Sequence, residues 1–107
     1  MQVIISSRRV VLSPAFRATA GRKIEKLARV LPRILDARLV CAEQKFQRSV
    51  RLTVRAGRRS FSTRSTGPDF LTAVDGAIET LGRQAREEKE RRTRRRERGP
   101  DLIEPVA

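Results

Sequence analysis

The sequence has no histidine, no tryptophan and no tyrosine. It has one cysteine, and its four phenylalanines are its only aromatic residues. Each shortage excludes something. A lone cysteine, Cys41, forbids an internal disulfide. It lies in the strand-like run RLVCA, where a small buried thiol is the ordinary reading. A nucleophilic thiol wants a neighbouring base, and the usual one is missing. No CxxC or His/Cys cluster offers a metal site. No glycine-rich loop cradles phosphate, because AGRR and STGPD read as turns. Asp75 and Glu79 stand four residues apart on a face expected to be exposed, which is no catalytic pair. The chain reads as a non-enzyme with no cofactor, no metal and no small-molecule substrate. Few aromatics also means few platforms for stacking nucleic-acid bases.

Long apolar runs are absent as well. MQVIISSRRV offers a four-residue apolar patch and then charge. Nothing approaches the roughly 18 apolar residues of a membrane span, and no signal-peptide pattern appears. A soluble, cytoplasmic, membrane-free protein is the expectation. At 107 residues, one domain is expected.

What the chain has in excess is positive charge. It carries 25 Lys+Arg against 12 Asp+Glu, a net charge of +13. Only Lys23, Lys26, Lys45 and Lys89 are lysines, and the other cations are arginines. Arginine grips phosphate bidentately and stacks on bases, so the excess points to nucleic acid. The charge is unevenly spread. Residues 1–68 hold 16 cations and 3 acids, whereas residues 69–107 hold 9 of each.

The pattern of the chain predicts its elements. QVIISS (2–7) is a first strand. Ser13-Pro14 starts a helix, with Ser13 as N-cap and Pro14 at the first helical position. Phe16, Ala20, Ile24, Leu27 and Leu31 fall within about 80° on a helical wheel. Pro32 predicts that this helix ends near Leu31. Residues 36–45, 47–56 and 59–66 alternate with period two, which predicts three half-buried strands. Leu39, Cys41, Val50, Leu52, Val54 and Phe61 would point inward. Arg38, Arg51, Arg55 and Arg64 would point outward, where edge protection and solubility are sufficient reasons. TGPD starts a second helix, with Phe70, Val74, Ala77, Ile78, Leu81 and Ala85 as its apolar stripe. Beyond Ala85 that helix should leave the core, fray through RRTRRRER and stop at Gly99-Pro100. Glu87–Arg91, Glu88–Arg92 and Glu90–Arg94 would pair along it.

The expected fold is α+β, in the order β-α-β-β-β-α. Two parallel helices would pack on one face of a four-stranded mixed sheet, with a right-handed crossover making the first two strands parallel. Residues 1–90 would form the domain, and 91–107 a basic, disordered tail.

The charge then acquires a location. Arg22, Lys26, Arg29 and Arg33 lie between about 220° and 280° from Phe16 on the wheel, opposite the apolar stripe. Lys23 flanks that stripe. A merely solvated face would mix signs, yet Glu25 is the only acid on this helix. Arg83, Arg86 and Lys89 would extend the basic zone if the helices lie side by side.

These stretches resemble the ribosome hibernation promoting factor and ribosome-associated inhibitor family, formerly called sigma-54 modulation proteins. The similarity rests on MQVIIS-x-R-x-V, LSPAFR, RKIEKLARVLPRI and PDFLTAVDGAIETLGRQ, and it runs from Met1 to about Lys89. Asp69, Phe70, Ala73 and Asp75 match the start of the family's second helix. The resemblance implies the fold derived above. It further implies binding to the small ribosomal subunit and its ribosomal RNA, in the channel for messenger and transfer RNA, during stress or stationary phase. Translation would be blocked sterically by a protein that is monomeric when free. The implied contacts are Arg22, Lys23, Lys26 and Arg29 in helix one, with Arg83, Arg86 and Lys89 in helix two. The bottom-up stripe adds Arg33. The chain departs from the family at Leu71, where an aromatic is common, and at Glu87-Glu88. A chain stopping at 107 resembles the short form and lacks an inhibitor-type acidic tail.

Two other readings stand beside this one. A double-stranded-RNA-binding module has an α-β-β-β-α core, but its last helix starts basic, and PDFLTAVDGAIE is acidic. An interaction protein could instead dock an acidic partner or membrane surface through its arginines.

Overall fold

The computed structural model describes the backbone of residues 1–103 and side chains through residue 91. Strand β1 (Gln2–Arg8) leads to helix α1 (Pro14–Glu25) and a 3₁₀ turn (Lys26–Arg29). Strands β2 (Ile34–Gln44), β3 (Gln47–Ala56) and β4 (Arg59–Gly67) follow, and helix α2 (Phe70–Ile103) comes last. The fold is α+β in the expected order. The sheet order is β1-β2-β3-β4, with β1 parallel to β2 and the other pairs antiparallel.

Period-two sequence patterning becomes a two-faced sheet. Ala37, Leu39, Cys41, Val50, Leu52 and Val54 are buried beneath the helices. Helix α1 contributes Ala20 and Ile24, and α2 contributes Ala73, Val74, Ala77, Leu81 and Ala85. Burial pushes the Cys41 thiol up to about 11, so it stays protonated at neutral pH, as its structural role requires. The helices run in the same direction. Phe16 and Phe70 meet near their starts with ring centroids 5.9 Å apart, and Lys23, about two turns further along α1, reaches Asp75, about one and a half turns further along α2.

Local chemistry sets the helix starts. The Phe16 amide donates to Ser13 Oγ at 3.0 Å, and Pro14 occupies the first helical turn. Asp69 accepts from the Thr72 amide at 2.8 Å and from its hydroxyl at 3.0 Å. Those two bonds hold the Asp69 carboxyl below its ordinary value.

Two helix ends differ from expectation. The first α-helix stops at Glu25, six residues before Leu31, and tightens into the 3₁₀ turn. Strand β2 begins at Ile34, so the chain must tighten and reverse within the few residues after Glu25, with Pro32 disfavouring further helix. The tighter turn lets both Val30 and Leu31 donate to the Leu27 carbonyl, which keeps Leu27 and Leu31 buried. Helix α2 passes Gly99-Pro100 and continues to Ile103. Pro100 removes one backbone donor there without ending the helix. The last four residues of the expected tail, and the side chains of Arg92 and Arg94, lie outside the described residues. Arg91 approaches Glu88 at 3.7 Å, one helical turn back.

Candidate nucleic-acid interface

The exposed sides of α1, the 3₁₀ turn and α2 carry the basic residues singled out from sequence. Arg22, Lys26, Arg29, Arg33, Arg83, Arg86 and Lys89 are exposed, and Lys23 is half-buried. The shape of the backbone alters how they group. Arg22 and Lys23 stand on the last turn of α1. Lys26 and Arg29 stand on the 3₁₀ turn, where a three-residue step superimposes side chains. Arg33 lies beyond it, in a left-handed conformation at φ 61°. The stripe is therefore two short basic steps and a corner, not one straight helical row.

Two grooves collect these side chains. The first runs between the 3₁₀ turn and α2, with a volume of about 200 Å³. Lys26 and Arg86 line its walls, and Leu27, Ile78 and Gly82 form its apolar floor. Glu79 also lines it and lowers its net positive charge. The second groove, about 700 Å³, opens where the chain turns from α1 into β2. Arg33 and Lys89 line it together with Arg58 and Arg59. Structure thus places Lys26 and Arg86 on one groove and Arg33 and Lys89 on the other. Arg83 is exposed three residues before Arg86.

Some of the charge is already engaged. Lys23 Nζ donates to Asp75 Oδ1 at 2.8 Å, joining α1 to α2. Arg22 donates to Thr19 Oγ1 at 3.3 Å within its own helix. Arg59 pairs with Glu88 at 2.6 Å. That pair means Glu88 neutralises a strand arginine, while its other carboxylate oxygen lies 3.7 Å from Arg91 of the same helix. Lys23 is therefore tied to a carboxylate, whereas Lys26, Arg29 and Arg33 form no ion pair among the described residues.

Arg58 and Arg59 escaped the sequence reading, which took AGRR only as a hairpin connection. Gly57 adopts φ 61°, the left-handed region such a tight turn needs. Its N–H donates to the Arg33 carbonyl at 3.0 Å, docking the hairpin tip beside the corner. The usable signal was topological. The start of β2 and the β3–β4 turn lie at the same end of an antiparallel meander, so residues 33 and 58 must be neighbours.

Residues 3–93 match the family model described as sigma 54 modulation protein / S30EA ribosomal protein. The chain belongs to this family. The S30EA family is ribosome-associated and non-enzymatic, in keeping with the missing catalytic constellation. The fold is similar to that of a ribosomal subunit interface protein from Coxiella burnetii, at 22% identity and a TM-score of 0.75. That match covers 84% of this chain and 99% of the other. It is also similar to the N-terminal domain of Protein Y from Thermus thermophilus, at 19% identity and a TM-score of 0.74, covering 81% and 98%. At these identities the likeness is one of fold. No curated protein matches the chain. No helix among the described residues is long and apolar enough to cross a membrane.

Proposed function

We propose that this S30EA-family chain is a cytoplasmic ribosome hibernation factor acting in stress or stationary phase. It binds the small ribosomal subunit in the messenger and transfer RNA channel and blocks translation by occupying that space. The observation that carries the reading is that basic side chains from different elements line shared grooves, Lys26 and Arg86 one and Arg33 and Lys89 the other, in a family associated with the ribosome. The names of the two structural neighbours, a subunit interface protein and Protein Y, support it.

Affinity comes from Lys and Arg neutralising ribosomal RNA phosphates and releasing counterions. Specificity comes from RNA shape, because stacking aromatics are scarce on this side. Arg22, Lys26, Arg29, Arg33, Arg83, Arg86 and Lys89 make the contacts, within a binding unit of residues 1–90. Lys23 contributes less, since Asp75 already holds it. A free monomer meets the subunit as a preformed surface.

Co-sedimentation with small subunits across a salt series tests this. Binding weakens by about one log unit per log of salt for each phosphate contacted. K26E/R29E/R86E loses co-sedimentation while keeping its thermal melt. Unchanged co-sedimentation overturns the site. Competition with duplex RNA separates this reading from a general double-stranded-RNA module, which duplex would displace equally well.

A further inference from the structure

Both helices cover one face of the sheet, and the opposite face carries a second set of arginines. We infer that this open sheet face is a second RNA-binding surface, recognising phosphodiester backbone through Arg38, Arg51 and Arg64. The inference goes beyond the helix-side reading and does not depend on it.

Register fixes the arrangement. Arg51 on β3 stands directly opposite Arg64 on β4. Arg38 on β2 stands opposite Thr53, one diagonal step from Arg51. Direct cross-strand neighbours lie about 5 Å apart and diagonal ones about 7–8 Å. Three arginine side chains thus rise from neighbouring positions of one face, within reach of one phosphate between strands and its neighbour along the diagonal. Thr53 and Ser62 fill the step between them, with hydroxyl oxygens 3.3 Å apart.

Charge balance points outward. Like charges directly opposite on a sheet destabilise it. Here Arg51 faces Arg64, and no carboxylate among the described residues lies within ion-pair distance of Arg38, Arg51 or Arg64. The one acid on this face, Asp36, is buried and held by Arg55, and feels the charge of Arg38 only more weakly, so Arg51 and Arg64 are left with no carboxylate of their own. Edge protection accounts for charges on β1 and β4, but Arg38 and Arg51 belong to the two central strands. Solubility alone would be served by mixed signs. An external polyanion supplies the missing partner.

The test starts from a full-length K26S/R29S/R86S background, which removes three of the helix-side cations and so weakens that surface. Fluorescence anisotropy with a labelled short oligouridylate is read over a salt series. Adding R38S/R51S/R64S should weaken the remaining binding about tenfold or more, and flatten the salt slope by about two units at ~0.7 per contact. The melt should stay level or rise, because repulsion is relieved. Unchanged affinity and slope overturn the inference. As a mutation-free measurement, oligouridylate should shield Arg51 and Arg64 of the unsubstituted protein from phenylglyoxal, read by mass spectrometry. Equal modification with and without the RNA overturns it. So does binding to phosphatidylglycerol vesicles that needs these three arginines while oligouridylate binding does not.

Discussion

The two faces of the sheet are built from the same strands and do opposite work. Along β3, Val50, Leu52, Val54 and Ala56 are buried, while Arg51 and Arg55, which alternate with them, are exposed. The inner face is apolar, closed by helices, and sets stability. The outer face is basic, hydroxyl-rich and open, so its residues can change at little cost to folding. A β-strand thus lets stability and recognition vary independently at adjacent positions.

The sharpest way to break this comparison is to truncate one residue of each kind. Leu52→Ala removes a fully buried side chain and should cost about 2–5 kcal/mol in denaturant unfolding. Thr53→Ala, its outward neighbour, should stay within about 0.5 kcal/mol. Equal losses would show that the faces are not energetically separate.

Asp36 is the exception that sharpens the contrast. It points to the open face yet is buried, because Arg55 folds over it. The hydrogen bond from Arg55 holds its carboxyl below the ordinary value of 3.8, against the opposing effect of burial. A lowered folded-state value gives stability that is present above the unfolded value and lost as pH falls through the folded one. Acid unfolding below about pH 4 should therefore include this group. Asp36→Asn should flatten that part of the stability profile and leave the region above pH 6 parallel to the parent.

A smaller effect is expected at the helix cap. Ser13→Ala removes the acceptor for the Phe16 amide and should cost about 1 kcal/mol by thermal melt. The smallest effect belongs to the open face. R51S/R64S should raise stability by a few tenths of a kcal/mol, through lost cross-strand repulsion. A clear fall in melting temperature would mean that these arginines hold the sheet together.

Much of this was legible in the sequence. Alternation in Val50–Val54 gave the inward and outward sets because a strand's side-chain period is fixed at two. Ser13-Pro14 marked a helix start because capping is local. What could not be read depended on distant partners. Lys23 meets Asp75 across 52 positions, and nothing in either helix alone announces the pair. Glu88 pairs with Arg59 across the α2–β4 contact, so its charge is spent on the fold. The end of α1 was misplaced because a wheel assumes one pitch, and the chain tightens at Lys26 to enter β2 in time. Arg58 and Arg59 were passed over because a hairpin's chemistry says how a chain reverses and nothing of what it lies against.

The single bond from the Gly57 amide to the Arg33 carbonyl couples two loops that are remote in sequence. Arg33 and Arg58 are thereby held in one frame before any ligand arrives. A partner that seizes either loop finds the other already in place, so the second grip demands little further loss of freedom. Loosening this tether would be felt as faster release, with the number of charges unchanged.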